Sequence, residues 1–234
     1  MFALRPLFLV ILPLFSTVAN SVIAQGDGDF VKAEILTLCD SGVIRDLKFQ
    51  TKGGVDSFSV YSRGFAPVYR YEGPSHLKFF LAGDVPEGIE TPVNLVGEVD
   101  LPVGASRVLL LFEKKDDDTF HILAVNNDYA DFPPGAIRFV NTTGEALRTR
   151  IGEKRFVLPP NESRIFEGKG DQHGNIEIAM YRDREGQIPE KIYQSVWRID
   201  ERRRTTVFLK AAATRVREID VRKFSEPIVP EKEE

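Results

Sequence analysis

Apolar and polar residues alternate with a period of two through most of the chain. EILTLC carries Ile35, Leu36 and Leu38, DLKFQ alternates Leu47 with Phe49, and SFSVYS alternates Phe58 with Val60. HLKFFL puts Leu77, Phe79 and Leu81 on one face. Successive side chains of a strand point to opposite faces, so this pattern predicts half-buried β-strands. The unbroken run RVLLLF, Arg107–Phe112, predicts a strand covered on both faces. AIRFVN, ALRTRI, KRFVL, SRIFE, NIEIAMY, KIYQSVWRI, TTVFLK and VREIDV continue the style. In NIEIAMY, Ile176, Ile178 and Met180 share one face while Glu177 and Tyr181 share the other. Strand-like runs at this spacing, with few helical patterns, predict an all-β fold.

Turn chemistry divides the runs. KKDDDTF, Lys114–Phe120, predicts a hairpin closed by aspartate bonds to nearby amides. GDVPEGIETP predicts a longer loop, since its prolines cannot donate to a ladder. NNDYADFPPGA, Asn126–Ala136, reads as a domain junction. About eight strand candidates lie on each side of it, enough for one sandwich each. The expected organisation is therefore two tandem antiparallel immunoglobulin-like β-sandwiches, residues 25–130 and 131–225, after an N-terminal signal peptide, residues 1–24. An acidic, proline-bearing tail, 226–234, is expected to be disordered. LPVGASR, Leu101–Arg107, and LPPNESR, Leu158–Arg164, share a pattern and are expected to fill comparable places in two related sandwiches.

The stretch FPPGAIRFVNTTGEALRTRIGEKRFVLPPNESRIF, with EVDLPVGASRVLLLF upstream, resembles exported β-sandwich proteins of verrucomicrobial-type bacteria. That family has no assigned activity, so the resemblance implies export and fold and carries no catalytic motif.

The N-terminus has one positive charge, Arg5, an apolar run Leu7–Phe15, and Val22-Ile23-Ala24 with small residues where signal peptidase needs them. The stretch is long enough to serve instead as an uncleaved anchor. Pro13, Ser16, Thr17, Asn20 and Ser21 break its apolar character and favour cleavage. A periplasmic or extracellular location follows, with membrane contact only in transit. The single cysteine, Cys39, cannot form an intrachain disulfide and is expected to be a buried structural thiol. A net charge of −4 gives no reason to expect a nucleic-acid partner.

Candidate chemistry is sparse. Asp116, Asp117 and Asp118 lack the ligand spacing of a calcium loop, and GDGD, Gly26–Asp29, falls equally short. His76, His121 and His173 lack zinc spacing, and neither G-x-S-x-G nor H-E-x-x-H is present. No catalytic residue, metal or cofactor is expected. Trp197 with Tyr193 or Tyr181 forms the one candidate ligand platform, for sugar stacking. Tyr193, Ser195, Trp197 and Ile199 alternate onto one face, which favours a core role for the tryptophan. Asn141 and Asn161 head sequons and are expected to be turn residues. The favoured function is a non-catalytic envelope protein that binds or scaffolds an envelope protein or glycan. The alternative is a secreted carbohydrate-binding or hydrolytic accessory domain.

Overall fold

The computed structural model describes residues 30–81, 94–115, 117–184, 186–212 and 218–227. The expected signal peptide, GDGD, the GDVPEGIETP loop, Asp116 and residues 228–234 lie outside them. Among the described residues every helix or strand element is a β-strand. The first eight are β1 (Phe30–Cys39), β2 (Val43–Thr51), β3 (Gly54–Tyr61), β4 (Tyr69–Pro74), β5 (His76–Phe80), β6 (Leu95–Asp100), β7 (Arg107–Lys114) and β8 (Phe120–Asn126). Then follow β9 (Ile137–Thr142), β10 (Leu147–Ile151), β11 (Lys154–Leu158), β12 (Ser163–Phe166), β13 (Asn175–Arg182), β14 (Glu190–Arg198), β15 (Arg203–Ala211) and β16 (Ile219–Pro227). Glu226 and Pro227, expected to open the tail, belong to β16.

Four four-stranded sheets result, ordered β4-β1-β7-β8, β3-β2-β5-β6, β12-β9-β15-β16 and β11-β10-β13-β14. Adding eight to each strand number of the first two sheets reproduces the other two, so the halves share one topology. The expected wholly antiparallel pairing is corrected, because β1 runs parallel to β7 and β9 parallel to β15. An immunoglobulin constant domain pairs its first strand with its second. Here the first strand lies between the fourth and the seventh, so the sandwich layering is present with a different strand order.

Each half closes on its own core. Ile35, Leu47, Phe49, Phe79, Val108, Leu110 and Phe112 gather between the first two sheets. Phe139, Leu147, Ile178, Met180, Trp197, Val207 and Leu209 gather between the other two. A third cluster joins the halves: Leu36, Leu38, Leu109 and Leu111 pack against Val140 and Phe208. RVLLLF is buried on both faces for this reason, with Val108, Leu110 and Phe112 turned into the first core and Leu109 and Leu111 toward the second half.

Ladder register aligns the halves residue by residue. Val108 pairs with Ile35 and Asn126, and Thr205 pairs with Ile137 and Ser225. Gly42 and Gly144 then fall at the same place, each with a left-handed φ that favours glycine, +68° and +81°. By this register Arg107 corresponds to Arg204 and Asn127 to Glu226. Arg107 of the first half bonds Glu226 of the second, while Arg204 of the second bonds the Asn127 carbonyl of the first at 3.0 Å. Equivalent residues thus reach across to each other's partners, as in the self-complementary interface of a two-fold dimer.

This end of the interface is charged and buried. Arg204, wholly buried, also bonds Glu226 at 2.6 Å and the Phe132 carbonyl at 3.1 Å. Arg107 pairs with Glu34 as well. Arg138 bonds Asn127 Oδ1 at 2.9 Å and lies over the Phe132 ring. Burial, and then the nearby Arg204 charge, pull the Arg138 pKa down to about 10. At the opposite end Lys210 pairs with Asp40, and Arg222 bonds the carbonyls of Asp40 and Ser62.

The two L-P-x-x-x-S-R stretches are not equivalent. LPVGASR joins β6 to β7, whereas LPPNESR joins β11 to β12. The expectation of a shared loop is corrected: proline stops a strand wherever one must stop, and the likeness is turn chemistry.

Candidate functional site

Trp197 is 4% exposed, stacks on Phe139 with ring centroids 5.9 Å apart, and donates to the Tyr193 hydroxyl at 3.1 Å. It therefore serves the second core, with Lys223 over its ring. Tyr193 leans on the same core, while Tyr181 lies elsewhere, in an open cleft on the outer face of its sheet. The structure brings Trp197 and Tyr193 together against the second core and leaves Tyr181 apart from them.

The Tyr181 cleft is lined by Arg148, Arg150, Arg155, Val157 and Ile188 among others. β11 is an edge strand, so one row of its backbone groups has no ladder partner among the described residues. Arg150 and Arg155 sit directly opposite each other on β10 and β11. Like charges so placed are destabilising by themselves. Arg150 bonds Glu177 at 2.8 Å and Arg148 bonds Asp183 at 2.5 Å, but Arg155 forms no ion pair among the described residues. Ile188, 90% exposed, and Val157 border these charges. Periodicity alone did not mark this site, because its arginines are ordinary outward positions on separate strands.

A second cleft, of about 380 Å³, opens in the side of the first sandwich. Its walls include Ser57, Phe58, Ser59 and Tyr61 of β3, Asp46 of β2, Tyr69 of β4 and the Ala66-Pro67-Val68 connection. Thr37 of β1 also lines it, on the inward face between Ile35 and Cys39. Thr37 is 2% exposed and its Oγ1 has no hydrogen-bond partner among the described residues. Register makes Thr37 the equivalent of Phe139, whose ring fills the second core against Trp197. Asp46 holds φ +49° where a bulge interrupts the β2–β3 ladder between Ile44 and Leu47. In the second half the short turn Pro159–Glu162 closes this side, bonding β9 through Asn161 N to the Asn141 carbonyl at 2.8 Å. In the first, the longer connection Ser62–Val68 leaves it open.

Beside this opening, Tyr69 donates its hydroxyl to Asp56. That bond holds the Asp56 carboxyl below its ordinary range, while burial and then Asp56 push Tyr69 up to about 12.

The histidines take ordinary partners. His76 faces Asp100 and Glu98, His121 faces Glu113, and His173 sits beside Gln172. Among the described residues no group of three or more His, Cys, Asp or Glu is arranged to hold a metal ion. Asp117 accepts from Thr119 within its hairpin. Cys39 is buried, and burial, then Asp40, push its thiol pKa up. Asn141 is wholly buried and Asn161 has φ +59° in its turn. No protein-family model matches the chain, and no curated protein matches it.

Proposed function

We propose that the chain is a non-catalytic, exported envelope protein, periplasmic or extracellular, that binds or scaffolds another envelope component. Its two sandwiches are immunoglobulin-like in layering, and a cleavable leader and kinship with the verrucomicrobial-type proteins belong to the same reading. One observation carries it: the β11 edge sets the opposed Arg150 and Arg155 beside the exposed Ile188 and Val157. An extended acidic segment suits that combination, because its backbone can join the free edge, a carboxylate pairs with Arg155, and alternate apolar side chains cover the lip. The corresponding edge of the first half has Gln50 opposite Val55, with no arginine.

A photo-crosslinking residue at position 188, in the full chain exported by its native host, tests this. A discrete adduct from position 188, lost in Arg155→Glu and absent from a crosslinker at position 55, is the expected result. No adduct at 188, or equal adducts at both positions, overturns the reading.

A further inference from the structure

We propose that the cleft in the side of the first sandwich binds an uncharged sugar ring. This goes beyond the sheet-edge reading and rests on the other half of the molecule. A buried hydroxyl without a partner costs free energy, and Thr37 Oγ1 is such a group. Thr37 lines an opening, with that hydroxyl buried at its inner wall, at the position where the second half has Phe139. The opening is large enough for one or two small rings, at the lower end of the range for ligand pockets, about 300–1,000 Å³.

The lining selects the ligand. The lining residues that carry hydroxyls are Thr37 on the inward face of β1 and Ser57, Ser59 and Tyr61 along the edge strand β3, and Asp46 brings a carboxylate that can accept from two neighbouring hydroxyls. Tyr61 and Tyr69 bring aromatic rings, whose negative faces attract the polarised C–H groups of a pyranose, while the Phe58 ring beneath them packs against Phe49, Phe79 and Phe112 of the core. Among the described residues no lysine or arginine lines the cleft, which leaves an anion without a counter-charge beside Asp46. An apolar ligand leaves the hydroxyls of Thr37 and Ser59 without partners. A ring with hydroxyls at its rim and C–H groups on its faces satisfies both sets at once.

The experiment titrates the full chain with methyl glycosides of glucose, galactose, mannose and N-acetylglucosamine, read by ligand-observed NMR. Choline and glucuronate serve as cationic and anionic probes. Thr37→Val keeps the side-chain shape and removes the hydroxyl, so it should weaken binding about 3- to 10-fold with the fold intact. Asp46→Asn keeps a residue that tolerates left-handed φ and should weaken binding about 10-fold or more. Binding of at least one neutral glycoside with both losses supports the proposal. It is overturned if no neutral glycoside binds at about 10 mM, near the weak end of measurable affinities. It is overturned equally if either substitution leaves binding unchanged, or if choline or glucuronate binds more tightly. Crosslinking at position 188 reports on the other sandwich, so either idea can fail while the other stands.

Discussion

β1 and β9 hold the same rank in two sandwiches of one topology, yet they treat the same side of the core differently. Ile35 and Ile137 are interchangeable core residues at equivalent positions. Two residues on, Thr37 leaves a hydroxyl facing an opening where Phe139 fills the space against Trp197. Two residues further, Cys39 is a buried thiol where Asn141 ties down a turn. Strand order and inward periodicity are thus common to the two halves, while the closure of one side is not. Apolar burial is non-directional and tolerates substitution, so it preserves the shared plan. A side opening depends on a few polar residues and one connection length, which can change without disturbing the sheets.

The sharpest break in the comparison lies at Asn127 and Glu226. The first half places a neutral amide where the second places a carboxylate that receives Arg107 and Arg204. Removing one partner of a buried charge pair leaves the other uncompensated, at about 3–5 kcal/mol. Glu226→Ala should therefore destabilise by about that amount in urea unfolding, and Asn127→Ala by less. The chain has a single tryptophan, Trp197, in the second core. Its fluorescence and far-UV circular dichroism should report one coincident transition for the native chain. In Glu226→Ala the two traces should separate, since the halves lose their charged clasp. Coincident traces in the variant show that the apolar cluster of Leu36, Leu109 and Phe208 couples the halves by itself.

The next difference is Cys39 against Asn141. The Asn141 amide donates to the carbonyls of Glu145, Leu158 and Pro159 at 2.7, 2.9 and 3.0 Å. Its own carbonyl accepts from Thr143. Asn141→Ala strands those buried carbonyls and should cost about 1–3 kcal/mol. Cys39→Ala, at the equivalent position, removes only a small hydrophobe and weak S–H contacts and should cost less. Equal losses in chemical unfolding mean that Asn141 is not what closes the second sandwich.

Much of this plan was legible in the sequence. Alternation marked the strands, RVLLLF announced a layer covered twice, and Ile199 on the Trp197 face pointed that tryptophan inward. The parallel pairing of β1 with β7 was not legible, because period-two alternation is blind to strand direction. LPVGASR and LPPNESR misled for a similar reason: a strand-stopping turn records where a strand ends, not which strand it is. Glu226 sat in a stretch whose composition reads as a tail, and only the partners Arg107 and Arg204, far away in sequence, make it a buried carboxylate. The Thr37 cleft and the Arg150–Arg155 edge were invisible for the same reason. Each is assembled from strands separated by loops, out of residues that look routine one at a time.

Thr37→Val makes a smaller and opposite prediction for stability. Replacing an unpartnered buried hydroxyl with a methyl group of the same shape removes a desolvation cost, so the variant should be more stable by up to about 1 kcal/mol. Phe139→Val, at the equivalent position, empties part of a filled core and should destabilise by roughly 2–4 kcal/mol. Opposite signs in parallel thermal melts sharpen the contrast between the two sandwiches. A loss in Thr37→Val means that the hydroxyl has a partner in solution.

The subtlest contrast is Tyr69 against Phe166, which pair with Ile35 and Ile137 and so occupy equivalent places. The folded chain holds the Tyr69 proton to about pH 12, against 10.0 for an unperturbed tyrosine, through burial and then the bond to Asp56. A group that binds its proton more tightly when folded adds stability in full below the unfolded value and loses it as pH rises through the folded one. The chain should therefore lose stability between about pH 10 and 12, and Tyr69→Phe should flatten that fall. Tyr71, whose pKa burial also raises, leaves a residual slope in the variant. Asp56 behaves in the opposite sense. Its lowered carboxyl, held first by Tyr69 and then by the Ser57 amide, adds stability above its unfolded value of 3.8 and loses it on acidification. Tyr69→Phe should soften that acid limb as well, while the Ser57 bond keeps part of it. Urea midpoints measured from pH 2 to pH 12 carry both limbs in one data set. A Tyr69→Phe profile parallel to that of the native chain at both ends shows that the hydroxyl, the one chemical difference from Phe166, couples neither its own proton nor that of Asp56 to folding.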